Sequence, residues 1–200
     1  MVEHYYARNP EVKSNPQSWA TVLRDHSFRF KTDQGVFSKA EVDFGSRLLT
    51  DTFVEPSVTG PVLDVGCGYG PIGLSISKDF PERQIHMIDV NLRAISLAQE
   101  NAELNNLTNV EIYESEGFSR VNESGFAAIV TNPPIRAGKV VVHQILEQSY
   151  LHLVSGGQLW VVIQKKQGAP SAQHKMEEVF GNVETVAKKK GYYILRSLKD

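Results

Sequence analysis

With 200 residues, the chain is long enough for one domain with a hydrophobic core of its own. A hydrophobic fraction of 41% and a net charge of −2 fit an ordinary globular protein and argue against a protein that is basic over its whole surface. The single cysteine excludes an internal disulfide and suits a reducing compartment, so we expect a cytoplasmic location. No run of about 20 apolar residues predicts a membrane span, and no basic start followed by an apolar run predicts a secretory leader.

The N-terminal residues 1–35 are polar and interrupted by prolines, yet they contain aromatic side chains that can pack on a larger body. We predict a cap segment here, with a hairpin around residues 27–37, and a main domain over residues 36–200. Both parts are expected to form one compact domain. Apolar residues at helical spacing then predict a helix over residues 39–53, with Ser38 as its N-cap and Glu41 as the capping-box partner.

After Pro61 the pattern alternates between short apolar runs and longer amphipathic ones. This alternation predicts a parallel sheet covered by helices on both faces, and the last two strands predict an antiparallel hairpin at its edge. The predicted strands cover residues 62–65, 84–89, 110–113, 126–130, 157–163, 183–187 and 192–197, and the predicted helices cover residues 71–78, 92–105 and 140–153.

A glycine-rich loop follows the first strand of this sheet, where residues 64–70 spell DVGCGYG. Glycines allow a sharp turn and a close approach of a ligand, and the loop opens a helix N-terminus with free N–H groups. The spacing differs from the G-x-G-x-x-G of dinucleotide folds, and Asp64 suits an ammonium group, or the ordering of the loop, better than a phosphate. S-adenosylmethionine carries an ammonium and a carboxylate, so it is the expected cofactor. The expected loop contacts are Asp64, Gly66, Cys67, Gly68 and Gly70.

Two further acids follow strands of the same sheet. Asp89 ends the second strand about 20 residues after the glycine loop, where an acid commonly accepts hydrogen bonds from ribose hydroxyls. The alternative for Asp89 is a turn or cap residue. Val90 beside it and Asn132 after the fourth strand are further candidates for cofactor contact. Glu116 follows the third strand and is a candidate for the adenine edge, with a solvated loop acid as its alternative. No cysteine and histidine cluster has metal-ligand spacing, so no metal site is predicted.

The second motif is Asn132-Pro133-Pro134-Ile135, which follows the fourth strand. Prolines fix the chain direction, so the Asn132 side chain and the Pro133 carbonyl would be held in one orientation. Two acceptors aimed at one exocyclic amine would orient its lone pair and stabilise the positive charge that develops there. A rigid loop is the alternative, because Asn and Pro are common in turns. The position at a strand end behind the glycine loop favours an active site.

The glycine loop and the Asn-Pro-Pro of residues 132–134 resemble the class I S-adenosylmethionine-dependent methyltransferases that act on exocyclic or amide nitrogens. The chain is still more similar to the RsmC-type ribosomal RNA guanine-N²-methyltransferases. This similarity lies in Phe37-Ser38 ahead of residues 42–49 (VDFGSRLL) and in residues 62–70 (VLDVGCGYG). The resemblance covers about residues 28–198. It implies a single-domain relative, because larger members have a degenerate methyltransferase-like domain before this one.

The resemblance implies a Rossmann-like α/β fold with a seven-stranded, mostly parallel sheet, helices on both faces and a C-terminal antiparallel hairpin. It implies S-adenosylmethionine as methyl donor, S-adenosylhomocysteine as product, and a guanine of small-subunit ribosomal RNA as acceptor. Ribosomal RNA or a ribosomal subunit is therefore the expected partner. Asp64, Gly66 and Gly68 would flank the donor and Asp89 its ribose, while residues 132–135 would hold the base.

One position departs from the family pattern. Ile135 stands where an aromatic residue often stacks on the target base, and Phe37 is the candidate to replace it. Candidates for RNA contact are the basic residues Arg136 and Lys139 beside the motif, together with Arg24, Arg29, Lys31 and Lys39. The run of lysines at residues 188–190 is interpreted as a solvated hairpin turn.

Two other functions remain open at this point. The acceptor can instead be a protein glutamine amide, an adenine amine or a small molecule. A non-catalytic S-adenosylmethionine-binding protein is the alternative from a different class, although the presence of Asp64, Asp89 and Asn132 argues against it. The sequence makes no prediction about the oligomeric state.

Overall fold

The computed structural model describes residues 8–10, 12–38 and 41–200. Within these ranges the strands are β1 (Gln17–Leu23), β2 (His26–Thr32), β3 (Val62–Val65), β4 (Ile85–Asp89), β5 (Val110–Glu114), β6 (Phe126–Thr131), β7 (Leu153–Gln164), β8 (Glu184–Lys189) and β9 (Tyr192–Leu198). The helices are α1 (Phe44–Thr52), α2 (Pro71–Asp79), α3 (Leu92–Leu104), α4 (Lys139–His152) and α5 (Ala169–Phe180), and short 3₁₀ turns cover Ile135–Ala137 and Lys165–Gln167. No helix in this part of the chain is long and apolar enough to cross a membrane.

Seven strands form one sheet in the order β5-β4-β3-β6-β7-β9-β8. Strands β3 to β7 pair in parallel with one another, and β9 pairs antiparallel with both β7 and β8. The predicted fold class is therefore confirmed, including the antiparallel C-terminal hairpin. Because β9 is inserted beside β7, the edge strand on this side is β8.

The core consists of two hydrophobic clusters, one on each face of the sheet. Strand β7 shows why, since Trp160 and Val162 pack on the face covered by α1, α2 and α3, while Leu159 and Val161 pack on the face covered by α4 and α5. Successive side chains of a strand point to opposite faces, so an apolar strand in a sheet that is covered on both sides supplies both clusters.

The N-terminal hairpin lies earlier in the chain than predicted. Strands β1 and β2 are joined at Arg24 and Asp25, rather than within residues 27–37. Both turn residues have positive φ, 47° and 63°, which is the geometry of the tight two-residue hairpin turn. Neither is glycine, and this explains why the turn was not recognised from the sequence.

Helix α1 also begins later than predicted, at Phe44. Its N-cap is Asp43, whose Oδ1 accepts a hydrogen bond from Ser46 N at 3.1 Å. Ser38 is not the cap, because it has a φ of 56° and its hydroxyl donates to the Glu41 carbonyl. The predicted start at Lys39 lies outside the described residues.

Helix α5 was missed in the sequence. Its buried positions Ala169, Ala172, Met176 and Phe180 do follow helical spacing, but the segment between them is polar and begins with a proline. Proline is tolerated in the first turn of a helix, so Pro170 fits the start of α5 rather than a loop.

Candidate active site

A cavity of about 660 Å³ opens at the carboxyl ends of the central strands. The register places Val65, the last residue of β3, beside Ile88 of β4 and Thr131 of β6, so the loops that follow these strands meet there. A second cavity of about 60 Å³ lies on the α1 side of the glycine loop. The two cavities share three lining residues, Gly66, Asp89 and Asn132.

The glycine loop lies between the two cavities and contributes lining residues to both. Gly66 N and Cys67 N both donate to the Ile88 carbonyl at 2.9 Å, which anchors the loop to β4. Gly66 and Gly68 have φ values of 75° and 58°, and a Cβ at either position would meet no atom within 4 Å. A side chain there would point into open space where a ligand can approach the backbone.

Two other residues of the loop, Gly70 and Cys67, are packed within the protein. Gly70 lines neither cavity, and a Cβ there would lie 2.8 Å from Leu74 Cδ1, so this glycine permits the close packing of α2. Cys67 is buried and lines the smaller cavity. Burial raises the pKa of its thiol, and the nearby Asp89 and Asp64 act in the same direction, so the thiolate that a nucleophile needs is disfavoured.

Asp64 lies beneath the loop rather than in a cavity. It is fully buried, and its Oδ2 accepts a hydrogen bond from Gly73 N at 2.8 Å, in the first turn of α2. Its Oδ1 has no hydrogen-bond partner among the described residues. Burial raises the pKa of Asp64 to about 7, and the charge of Asp89 adds to the shift, while the Gly73 bond opposes it. The geometry therefore supports the ordering of the loop as the role of Asp64.

Asp89 faces both cavities from the end of β4. Its Oδ2 accepts from Gly68 N and its Oδ1 from Asn91 N, each at 2.9 Å, so the turn role and the cavity position occur together. Desolvation raises the pKa of this carboxyl although both hydrogen bonds lower it. Val90 and the exposed Glu116 line the larger cavity, as a cofactor contact requires.

The Asn132 side chain is held by two residues at the start of α1. Its Nδ2 donates to Ser46 Oγ at 3.0 Å and to Asp43 Oδ1 at 3.4 Å. Because the Asp43 carboxylate can only accept, the amide nitrogen must face it, and the orientation of the amide is determined. Its Oδ1 has no hydrogen-bond partner among the described residues, and Asn132 lines both cavities. The site thus presents one oriented acceptor at the junction of the cavities.

Asp43 and Ser46 were not recognised as site residues in the sequence. Their spacing of three residues is the N-cap pattern that the structure shows, but this pattern predicts only the start of a helix. Nothing in it predicts that the same two side chains reach Asn132, which follows β6. The contact depends on the packing of α1 against β7 and β9, which brings the start of the helix beside the residue that follows β6.

The remaining motif residues divide between the cavity and the core. Pro134 lines the larger cavity, whereas Pro133 is buried. Ile135 packs against the hydrophobic cluster on the α4 side of the sheet and lines neither cavity. Ile135 therefore contributes no surface to either cavity.

The candidate substrate residues lie at different places. Phe37 lines the smaller cavity with 43% of its surface exposed, and Arg136 and Lys139 are exposed beside the motif. Lys39 lies outside the described residues. Arg24 is engaged elsewhere, because its guanidinium pairs with Asp79 at 2.5 Å and donates to carbonyls at the end of α1.

The two cavities fit S-adenosylmethionine by their chemistry. The larger one has apolar walls for an adenine ring, formed by Val65, Ile88 and Phe118, and acids for ribose hydroxyls and ring nitrogens. Gly66 and Gly68 leave room for a ligand that crosses the loop. The volume lies within the range of ligand pockets, about 300–1,000 Å³. Among the described residues, no group of three or more His, Cys, Asp or Glu side chains is arranged to hold a metal ion.

Comparison with known proteins places the chain in a family. Residues 27–196 match the family "Methyltransferase small domain". The chain is 62% identical to the uncharacterized protein YbxB of Bacillus subtilis over the full length of both. It is 34% identical to ribosomal RNA small subunit methyltransferase C of Vibrio cholerae, over 92% of this chain and 53% of that protein.

A solved structure agrees with this assignment. The 16S rRNA N2 G1207 methyltransferase RsmC of T. thermophilus, in complex with AdoMet and guanosine, superposes with a TM-score of 0.81 at 26% identity. The match covers 96% of this chain and 52% of that one, so the chain spans about half the length of the ribosomal RNA methyltransferases that it resembles. These findings confirm the predicted family and its cofactor. The chain belongs to the methyltransferase small domain family of S-adenosylmethionine-dependent methyltransferases and is related to the RsmC enzymes.

Proposed function

We propose that this protein methylates the exocyclic 2-amino group of a guanine in small-subunit ribosomal RNA. The observation that carries this proposal is the Asn132 side chain, whose Nδ2 is bound by Ser46 and Asp43 while its Oδ1 has no partner among the described residues. An acceptor oxygen fixed at the junction of two cavities suits a substrate that donates an N–H bond there. We assign the reaction to the cytoplasm, where the single reduced cysteine is stable.

In this proposal Asn132 Oδ1 and the Pro133 carbonyl each accept one hydrogen bond from the amine. They orient the nitrogen lone pair towards the methyl carbon and stabilise the positive charge that the nitrogen gains during transfer. S-adenosylmethionine supplies the methyl group: the new N–C bond forms as the S–C bond breaks, and S-adenosylhomocysteine leaves. The surplus amine proton then departs to water, so the site requires no strong base. Cys67, with its raised pKa, takes no part.

The remaining contacts follow from the lining of the cavities. Asp89 would accept hydrogen bonds from the ribose, and Val90 and Glu116 would border the adenine. Gly66, Cys67 and Gly68 would lie along the donor, while Asp64 and Gly70 would shape the loop from behind. Phe37 would form one wall for the base, in place of the aromatic residue missing at position 135.

The choice of guanine and of ribosomal RNA is supported by the relatives. The T. thermophilus RsmC structure contains guanosine beside AdoMet, and the Vibrio cholerae relative is named as a small-subunit ribosomal RNA methyltransferase. The match to each covers about half of that protein, so the substrate of this chain is a proposal.

The acceptor is tested with radiolabelled S-adenosylmethionine and purified protein. Ribosomal subunits, stripped ribosomal RNA, transfer RNA and protein release factors are offered separately, and any labelled RNA is digested to nucleosides. We expect label in a ribosomal substrate, recovered as N²-methylguanosine. Label in protein alone would identify a glutamine amide as the acceptor instead of RNA. Label recovered as methyladenosine would overturn the guanine assignment.

The role of Asn132 is tested by Asn132→Ala. Removing one preorganised acceptor of developing charge costs on the order of 10²–10³ in the rate of chemistry, so methyl transfer should fall by about that factor. Affinity for S-adenosylhomocysteine, measured by calorimetry, should remain within a few-fold of the wild type. Activity that persists in the variant would contradict the proposed mechanism.

A further inference from the structure

Six lysines from three separate segments of the chain lie at the same edge of the sheet as the active site. We call them the basic rim, and they are Lys139, Lys165, Lys166, Lys188, Lys189 and Lys190. Lys139 begins α4, the pair at 165–166 lies in the turn after β7, and the run at 188–190 ends β8 and forms the hairpin turn. All six side chains are exposed.

The register of the strands explains why these segments meet. Thr131, the last residue of β6, pairs with Val161 of β7, but β7 continues to Gln164, which pairs with Tyr192 of β9. At about 3.3 Å per residue, β7 therefore extends roughly 10 Å beyond the end of β6. Tyr192 also pairs with Lys189 of β8, and Lys165 N donates to the Gly191 carbonyl at 2.8 Å. The two lysine segments thus form one wall beside the cavities.

Contacts of Lys190 connect this wall to Asn132. The Lys190 ammonium lies 4.9 Å from the centre of the Phe44 ring, and this ring packs on Tyr192 at 5.6 Å. Phe44 directly follows Asp43, whose carboxylate accepts from Asn132 Nδ2. The wall is therefore connected to the oriented acceptor through two neighbouring residues, Phe44 and Asp43.

Lys139 closes the rim on the other face of the sheet. It lies one helical turn before His143, whose Nε2 is 3.0 Å from Ser171 Oγ in the first turn of α5. This contact places the first turns of α4 and α5 side by side, and the turn at Lys165–Gln167 leads directly into α5.

The charges of the rim are not neutralised by the protein. Within the described part of the chain, none of the six lysines has an ion pair, and Lys188 and Lys190 instead lie over the rings of Tyr193 and Phe44. Several cations elsewhere in the described chain are paired, as in Arg24–Asp79 and Arg83–Glu55. Glu116, an exposed acid that lines the larger cavity, follows β5 on the opposite side of the site. The mouth of the site is therefore basic on one side only.

We propose that the basic rim binds the phosphates of the RNA strand whose base enters the active site. A base must be unstacked to reach Asn132, so the flanking backbone has to run along the surface of the protein. Unpaired lysines interleaved with aromatic rings are suited to such a single strand, because they attract phosphates while the rings tolerate any base. This inference rests on the proposed function and assigns its RNA contacts to residues 165–166 and 188–190 in place of the N-terminal basic residues.

The test compares two double variants that remove the same charge. Lys166→Gln/Lys189→Gln takes one lysine from each segment of the wall, and Arg29→Gln/Lys31→Gln takes two basic residues from β2. Binding to a fluorescein-labelled single-stranded RNA is measured by anisotropy over a series of KCl concentrations. Each phosphate contact contributes about 0.7 to the slope of log K against log salt, so the wall variant should lower the magnitude of the slope by about 1.4. Its Kd should rise on the order of tenfold at 0.1 M KCl.

The control variant should keep the wild-type slope, and all three proteins should bind S-adenosylhomocysteine equally in calorimetry. Equal loss in both double variants, or an unchanged slope in the wall variant, would overturn the assignment of the rim. If the wild type still methylates ribosomal RNA in that case, the proposed function is retained and only the assignment of the rim is rejected. A wild type that neither binds nor methylates RNA would overturn both. Tighter rim-dependent binding of poly-glutamate than of RNA would assign the rim to an acidic protein and reject the inference.

Discussion

At the scale of single residues, the orientation of the Asn132 amide depends on side chains that are distant in the sequence. Asn132 follows β6, yet the residues that fix its amide are Asp43 and Ser46 at the start of α1. Asp43 Oδ1 also accepts from Ser46 N, so one carboxylate both caps the helix and orients the amide. This sharing couples the position of α1 to the direction of the acceptor.

The orienting role of Ser46 is tested by Ser46→Ala. Removal of its hydroxyl leaves Asn132 Nδ2 with the longer bond to Asp43 alone, and the loss of one such bond corresponds to about 1–2 kcal/mol. We expect kcat to fall roughly tenfold, with little change in the affinity for S-adenosylhomocysteine. The matched control is Thr52→Ala, which removes a hydroxyl of the same helix that donates only to the Leu48 carbonyl. A similar loss of kcat in both variants would mean that Ser46 acts only through the helix.

At the scale of elements, side chains of helix α3 form hydrogen bonds with the backbone at the free edge of β2 in the N-terminal hairpin. Asn101 Oδ1 accepts from Lys31 N and its Nδ2 donates to the Lys31 carbonyl, while Asn105 makes the same pair of bonds with Arg29. The two asparagines are one helical turn apart and their partners are two residues apart on β2. Helical and strand spacing thus match along this contact, and the edge of β2 is satisfied without another strand.

The importance of this contact is tested by Asn101→Ala. Asn101 is fully buried and also donates to the carbonyl of Tyr69 in the glycine loop at 2.9 Å. Its removal leaves buried backbone groups unpaired, so we expect a loss of about 2–3 kcal/mol in the free energy of unfolding by urea. The exposed Glu103→Ala on the same helix should change the stability by less than about 0.5 kcal/mol. Equal stability of the two variants would contradict this account of the hairpin.

At the scale of the whole molecule, one buried carboxyl links stability to pH. Burial raises the pKa of Asp64 from 3.8 to about 7, so between these values the folded protein binds more protons here than the unfolded chain. The contribution of Asp64 to stability is therefore greatest at low pH, is lost progressively as the pH rises towards 7, and is constant above that value.

This linkage predicts a difference between the wild type and Asp64→Asn. In urea unfolding at a series of pH values from 5 to 8, the wild type should lose stability with rising pH relative to the variant, by at most about 1.4 kcal/mol per pH unit. Above pH 7 the two curves should become parallel, with a constant difference in stability, because Asp64 is then ionised in the folded and the unfolded protein. Curves that are parallel throughout would show that Asp64 is ionised in the folded protein across this range. The asparagine keeps an oxygen for the Gly73 bond, so loop geometry is retained.

The distribution of charge is also a property of the whole molecule. The net charge of −2 excludes a protein that is basic over its whole surface, yet the lysines of the basic rim lie together at one edge. The sequence suggested a solvated turn for residues 188–190, because a run of lysines carries no information about its neighbours. The pairing of Lys165 with the Gly191 turn is a long-range contact that only folding creates.

Local sequence patterns predicted the sheet of this protein and the position of its cofactor cavity. Alternating apolar runs predicted the parallel sheet and most of its strands, and residues 62–65 were predicted with the observed bounds. The glycine loop and the Asn-Pro-Pro motif predicted a cofactor cavity at the strand ends, because parallel strands bring their carboxyl ends to one edge. Such features depend on residues close together in the chain, where spacing alone indicates the structure.

Only the tertiary structure decided what these residues contact. The sequence could not predict the hairpin turn at Arg24 and Asp25, helix α5, or the burial of Asp64 away from the cavities. It also could not predict that Asp43 and Ser46 hold Asn132, or that Ile135 packs into the core. Each of these depends on contacts between segments far apart in the chain. Residue spacing describes one helix or strand, whereas packing determines which side chains of different elements meet.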